Sequence, residues 1–173
     1  MCSSSKIIED LTLSDDVGRY TNFLTSLKRY LANVQARLPF DPYKFTGDGW
    51  ILLFRANTDG IALLRFLEDL CRFFAAEFQK CVLCYLASPP SLVGLTFGIE
   101  KGVLIPITMY GQREYIGRAI IVACRLQGAV KDRGRPPAYD ALVSNRVYNE
   151  YFSSAKPQRG GSGSADLAQH QSG

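Results

Sequence analysis

Three side chains in this sequence stand where chemistry could be placed. The first is Asp48, inside Gly47-Asp48-Gly49. Glycines on both sides free the backbone for a reversal. The apolar run Ile51 to Phe54 that follows reads as a buried strand. A carboxylate at such a hairpin tip can bind a hard cation through oxygen. Equally, an aspartate in an Asp-Gly turn can bond its own backbone and nothing more. The second is Asp10, near the end of the run Ile7-Ile8-Glu9-Asp10-Leu11. The third is Arg125. Gly117, Ile121 and Arg125 are four apart, so on a helix they share a face. A guanidinium on that small, apolar surface suits a phosphate, or it simply snorkels from a packed helix.

What is missing narrows the chemistry. The single histidine, His170, lies in the tail. The body therefore holds no Ser-His-Asp or Cys-His nucleophile and no histidine-based metal site. If the chain is an enzyme, carboxylates, lysines and arginines, with or without a metal, carry its chemistry. The five cysteines are odd in number and mostly in apolar contexts, as free thiols in a reducing compartment would be. Cys81 and Cys84 form a C-x-x-C with no second half, which argues against zinc. At 173 residues and 47% hydrophobic, one domain with a real core is expected. The net charge of +4 suits an anionic ligand, but no basic run is dense enough for a nucleic-acid face. No stretch reaches membrane-spanning length, and the first residues carry no signal-peptide pattern.

These residues need elements to hold them. Lys6 to Leu13 reads as a short strand. Ser14 or Asp15 then caps a helix over about 16–37, with Val17, Tyr20, Phe23, Leu24, Leu27, Leu31 and Val34 as its apolar stripe. A hairpin over 43–54 carries Asp48 at its turn. Thr58 and Asp59 can cap a second helix over about 60–86. Residues 93–99 and 102–108 read as a second hairpin turning at Glu100-Lys101, and 110–115 as a loop. A third helix is expected over about 116–130, a loop over 128–137, a strand over 139–143 and a last helix through about Phe152. The Gly/Ser-rich stretch from 153 to 173 should be a disordered tail. The order β-α-β-β-α-β-β-α-β-α predicts an α+β sandwich, with helices on one face of a largely antiparallel sheet.

Four of these stretches resemble motifs of the class III nucleotidyl cyclases. KFTGDGWILLF is similar to their metal-binding K-x-x-G-D-G hairpin. IEDLTLS is similar to their first-strand D-I-x-G-F motif. LTFGIEKGVLI resembles G-I-x-x-G-x-V, and YIGRAIIVACRL resembles G-x-A-V-N-V-A-A-R-L. They occur in the family's order from Ile8 to Leu126. The resemblance implies a ferredoxin-like βαββαβ-type sandwich over residues 6–152. It also implies a reaction in which the ribose 3′ oxygen attacks the α-phosphorus and pyrophosphate leaves. It places two Mn²⁺ or Mg²⁺ ions between Asp10 and Asp48. Lys44 and Glu114 fall at base-contacting positions, Tyr43 and Tyr115 lie beside them, and Arg125 falls on the transition-state arginine.

Three positions depart from the family. Ile121 stands where it has an asparagine, Leu13 where it has a glycine, and no C-terminal triphosphate-binding lysine has a counterpart. Lys101, Arg113, Arg118, Lys131 or Arg133 are the basic residues open for that role. The chain looks most like small bacterial pyrimidine cyclases of antiphage signalling. That likeness implies a cytoplasmic homodimer making cyclic UMP from UTP for a downstream effector protein, with CTP and ATP as alternative substrates.

Overall fold

The computed structural model describes residues 1, 3–130 and 139–153. Its first element is a helix, where the sequence pattern predicts a strand. Helix α1 spans Ser4–Leu13. Ile7 and Leu11 lie one turn apart and are completely buried, while Ile8 between them is exposed. An i, i+4 pair meets one core on a helix. On a strand, alternation would likewise put Ile7 and Leu11 on one face and Ile8 on the other, so these positions suit either period and the backbone decides for the helix. Asp10 therefore sits on a helix and not at a strand end.

Two long helices follow the expected pattern. α2 covers Val17–Gln35 and buries Tyr20, Phe23, Leu27, Leu31 and Val34. α3 covers Gly60–Cys81, with the Asp59 carboxylate accepting from the Ala62 amide at 2.7 Å as an N-cap. A short 3₁₀ turn, Leu83–Tyr85, follows α3, so the helix stops before the expected Leu86. Phe66, Leu70, Phe74 and Phe78 recur every fourth residue on the buried face of α3. Phe23 of α2 meets Phe74 and Phe78 edge-on, at 5.3 and 5.7 Å between ring centroids. Strands β1 (Phe40–Phe45) and β2 (Trp50–Phe54) form the expected antiparallel hairpin. Phe40 seats it on the same core, 5.1 Å from Phe54 and 5.6 Å from Phe66.

The remaining strands pair differently from the sequence reading. β3 (Thr96–Ile99) pairs with β6 (Asp140–Val143), and not with the segment just after it. β4 (Ile105–Met109) pairs with β5 (Gln112–Ile116), which the sequence pattern assigns to a loop. The reversal falls at Tyr110-Gly111, both with positive φ, the signature of a tight hairpin turn. α4 then spans Arg118–Ala129, and α5 (Asn145–Val147) runs into one π-helical turn, Tyr148–Phe152. The outcome is a mixed α+β fold whose described strands form three two-stranded sheets. Among the described residues no continuous ferredoxin-like sheet is present.

The chain divides into two compact units. One comprises 1–97 with 130–140, the other 98–129 with 141–173. The second unit depends on glycines where its backbone segments touch. A Cβ at Gly98 would lie 2.0 Å from the Ala123 carbonyl oxygen and 2.5 Å from the Gln127 nitrogen, so β3 rests directly on the backbone of α4. A Cβ at Gly117 would lie 2.6 Å from the Val103 carbonyl oxygen. Gly98→Ala is expected to lower the unfolding free energy by roughly 2 kcal/mol or more, because backbone must move to admit one methyl. Gly18→Ala on α2, where nothing lies within 4 Å, should instead leave stability unchanged or raise it by roughly 0.5 kcal/mol. Urea unfolding of both variants checks this, and equal effects would refute the close approach.

Candidate functional site

The β1–β2 turn presents Asp48 as the sequence pattern implies. Gly47 takes φ +96°, and Thr46 and Gly49 close the loop with a 2.9 Å amide–carbonyl hydrogen bond. Positive φ at the first central residue of a two-residue loop calls for glycine there. The Asp48 side chain is 38% exposed. It does more than complete its own turn. Its Oδ2 accepts a 2.7 Å hydrogen bond from the Ser4 hydroxyl, in the first turn of α1, and lies 3.4 Å from the Met1 amino group. A carboxylate at a helix N-terminus is favoured by the unpaired amides and the helix dipole.

Asp10 occupies the other end of α1. Its Oδ2 accepts from the Ser88 amide at 2.9 Å, tying the helix to the loop after α3. Six residues separate it from Ser4, about 9 Å along the helix axis. The two aspartates thus serve opposite ends of one helix and do not form a joint clamp. Among the described residues no three His, Cys, Asp or Glu side chains gather around one point. As folded, the residues do not fit a two-ion centre. Asp48 alone keeps a partly exposed carboxylate at a turn.

Tyr43 and Lys44 lie together, against simple strand alternation. The register slips between Pro42 and Lys44, so Tyr43 is the extra residue of a β-bulge. The bulge undoes the alternation that would turn the two side chains to opposite faces. The Lys44 ammonium lies 5.9 Å from the Tyr43 ring centroid, within cation–π range.

The other sequence-derived site residues belong to the second unit. Glu114 and Tyr115 are neighbours on β5, opposite Ile107 and Pro106. Strand alternation therefore sends them to opposite faces of the β4–β5 hairpin, so one face cannot present both to a single base. Arg113 shares the Tyr115 face, its guanidinium 5.2 Å from that ring. Arg125 and Ile121 are both exposed on α4, one turn apart as their spacing predicts. Lys101 is engaged elsewhere. Its ammonium pairs with Glu150 and lies 4.9 Å from the Tyr151 ring. The hydrogen bond to Glu150, then that to Tyr151, holds Lys101 above the usual lysine range. Glu100 beside it accepts from the Lys101 amide and from the Ser144 hydroxyl, each at 2.8 Å. Arg118 is exposed at the start of α4. Lys131, Arg133 and the 154–173 part of the tail lie outside the described residues.

Compared with family models, with curated proteins and with solved structures, the chain matches none. Among the described residues no helix is long and apolar enough to cross a membrane.

Two residues of the first unit escape sequence reasoning. Ser4 precedes any recognisable pattern. Tyr20 reads only as one apolar position in the α2 stripe, yet its hydroxyl is buried without a hydrogen-bond partner among the described residues. Burial, then the charge of Asp48, pushes the Tyr20 phenol up to about 12. Burial, then the charge of Glu68, pushes the Cys71 thiol up to about 12. Both groups ionise less readily in the folded chain than in the unfolded one, where they titrate near 10.0 and 9.0. Their contribution to stability is thus complete below about pH 9 and lost as the pH rises through about 12. Unfolding free energy measured against pH should fall across that alkaline window. The fall should be shallower in Tyr20→Phe and in Cys71→Ala; an unchanged slope in both would contradict the assignment.

Proposed function

We propose that this chain is a nucleotidyl cyclase that converts UTP to 3′,5′-cyclic UMP and pyrophosphate, with CTP and ATP as the next candidates. The observation that carries the reading is the β1–β2 hairpin. Its Gly-Asp-Gly turn holds up a part-exposed Asp48, four residues after a lysine set beside Tyr43 by a bulge. The order of the four motifs along the sequence supports it further. In this proposal Lys44 and Tyr43 meet the base, and Glu114 or Tyr115 supplies a further contact. Arg125 meets charge that develops on the α-phosphate. The 3′ oxygen bonds to the α-phosphorus, its proton passes to solvent, and the bond to pyrophosphate breaks. Bound Mn²⁺ or Mg²⁺ would neutralise triphosphate charge, and in this proposal Asp48 is the carboxylate that would meet it. The proposal extends to a cytoplasmic homodimer whose product is read by a separate effector protein in antiviral defence.

A second reading has its own support. Asp10 lies on α1 with its carboxylate bonded to Ser88, and Ile121 puts an exposed apolar side chain one turn from Arg125. Both favour a cyclase-like module that binds nucleotide without turning it over. Incubation with each of the four NTPs and Mn²⁺ or Mg²⁺, with products resolved by mass, separates the two. The enzyme reading expects a cyclic monophosphate, chiefly from UTP, and a fall of at least 100-fold, by analogy with the loss of one charge-stabilising group, in Asp48→Ala and Arg125→Ala. Binding without product would leave only the module, and full activity in Asp48→Ala would sink the assignment of that residue.

The homodimer with shared sites has a separate test. Asp48→Ala and Arg125→Ala chains are each expected to be inactive alone. Mixed under conditions of demonstrated subunit exchange, they should regain part of the activity, because a dimer that gathers both lesions in one site leaves the other intact. No recovery, or an active monomer, would refute site sharing.

A further inference from the structure

Cys81 and Cys84 stand three residues apart where α3 ends. Cys81 is the last residue of that helix, and Cys84 is the middle residue of the 3₁₀ turn that follows. Between them the chain keeps turning. The Val82 amide still reaches the Phe78 carbonyl at 2.9 Å, and the Tyr85 amide reaches that of Val82 at 2.9 Å. In a turn this tight, side chains at i and i+3 come to one side. Their Cα atoms stand about 5–6 Å apart, within the roughly 4.4–6.8 Å found across disulfides.

The residues around Cys84 hold this turn shut. Val82 is completely buried. Tyr85 lies beneath the Arg19 guanidinium of α2, 4.0 Å from its ring centroid. Cys84 is carried between these two anchors. It cannot leave the end of α3 without uncovering Val82 or parting Tyr85 from Arg19. Its Sγ points back along the helix, 3.7 Å from the Gln79 carbonyl oxygen. The Cys81 Sγ lies 3.6 Å from a Glu77 carboxylate oxygen, one turn earlier. Both thiols thus lie against the last turns of α3, with Cys84 exposed and Cys81 half-buried.

We infer that Cys81 and Cys84 form a reversible dithiol modification site, closed to a disulfide by exchange with a small organic disulfide. The exposed Cys84 reacts first. Its thiolate attacks one sulfur of the reagent, a mixed disulfide forms, and one small thiolate leaves and takes up a proton. Cys81 then gives its proton to solvent and attacks the Cys84 Sγ. The mixed disulfide breaks and the second small thiol leaves. The two cysteines give up two electrons, and the sulfur–sulfur bond of the reagent takes them. Excess small thiol reverses both steps, so the disulfide is transient in a reducing compartment. Glu77 helps to set the order. Burial, then the charge of Glu77 and its hydrogen bond, pushes the Cys81 thiol up, while Lys80 and Arg19 of α2 act against it. Cys81 therefore keeps its proton while Cys84 reacts. The site stands apart from the β1–β2 turn and does not depend on what the chain catalyses.

Peptide masses decide it, because cleavage after lysine and arginine separates the cysteines. Cys71 falls in 66–72, Cys124 in 119–125, and Cys81 with Cys84 in 81–101. The full chain is incubated with oxidised glutathione at mildly alkaline pH, quenched in acid, alkylated with iodoacetamide and digested with trypsin. Peptide 81–101 should escape alkylation and weigh two hydrogens less than its dithiol form. The exposed Cys124 should carry glutathione, proof that the reagent acts, while the buried Cys71 stays alkylated. In Cys81→Ser the exchange should stop with glutathione on Cys84. In Cys84→Ser, Cys81 should remain alkylated over the same time. Glutathione that persists on Cys84 in the unmodified chain would overturn the closure. So would a peptide 81–101 still doubly alkylated once Cys124 is modified. If Cys81 takes glutathione in Cys84→Ser as fast as Cys84 does in Cys81→Ser, the order of reaction is wrong. At a fixed ratio of oxidised to reduced glutathione, the disulfide should be favoured roughly 10-fold more in the folded chain than in urea, because the anchored turn holds the two sulfurs at high effective concentration. Equal populations in both would refute a site built by the fold.

Discussion

The first unit depends on one ring. Phe23 is completely buried, and the edges and faces of Phe74 and Phe78 close around it. An aromatic side chain of that size in a close-packed interior fixes the distance and rotation between α2 and α3. The consequences spread outward. With α3 set, Phe66 offers its ring to Phe40 and Phe54, which seats the β1–β2 hairpin. With α2 set, Tyr20 is carried into the interior and Ile7 and Leu11 of α1 find their cover. The position of Asp48 is thus inherited from a phenylalanine on a different element.

The second unit is built on the opposite principle. It has little large apolar mass inside: α4 has no buried residue, while Ile105, Met109, Ile116 and Ile121 are exposed. What locates its parts is the absence of side chains. Gly98 and Gly117 let backbone lie on backbone, and Gly102 lets the Cβ of Ala119 approach to 3.1 Å of where a Cβ would stand. Polar links then fix the ends, from Glu100 to Ser144 and from Lys101 to Glu150. The glycines that carry the cyclase resemblance therefore have a packing reason of their own.

Legibility in the sequence followed the strength of local pattern. α2 and α3 were plain because their apolar residues repeat at three and four over many turns, and Asp59 supplies a cap. The Asp48 hairpin was plain because Gly-Asp-Gly admits few other conformations. α1 was misread because Ile7-Ile8 is too short an apolar run to separate period two from period 3.6. The β3–β6 pairing was hidden because its partners lie more than forty residues apart in the chain, and the Glu100-Lys101 pair offered a nearer turn. β5 was hidden by its polar start, Gln112-Arg113-Glu114, which reads as loop until its pairing with β4 is known. At the site, the residues of the turn were legible. The bulge that brings Lys44 to Tyr43, the Ser4 hydroxyl on Asp48 and the buried hydroxyl of Tyr20 were not, since nothing local marks them.

The division of the chain has a consequence for how it is made. The first unit takes residues 1–97 and then waits for 130–140, while 98–129 belong to the other unit. During synthesis α1, α2, the hairpin and α3 all emerge from the ribosome before any of the second unit does. Their aromatic contacts are complete within that stretch, so this core can close while translation continues. β3 emerges next as a bare edge, and its partner β6 follows only after α4 has been made. For that interval β3 presents unpaired amides and carbonyls to whatever is nearby. The nascent chain is most exposed to wrong strand pairing there, until α4 arrives against Gly98 and β6 completes the pair.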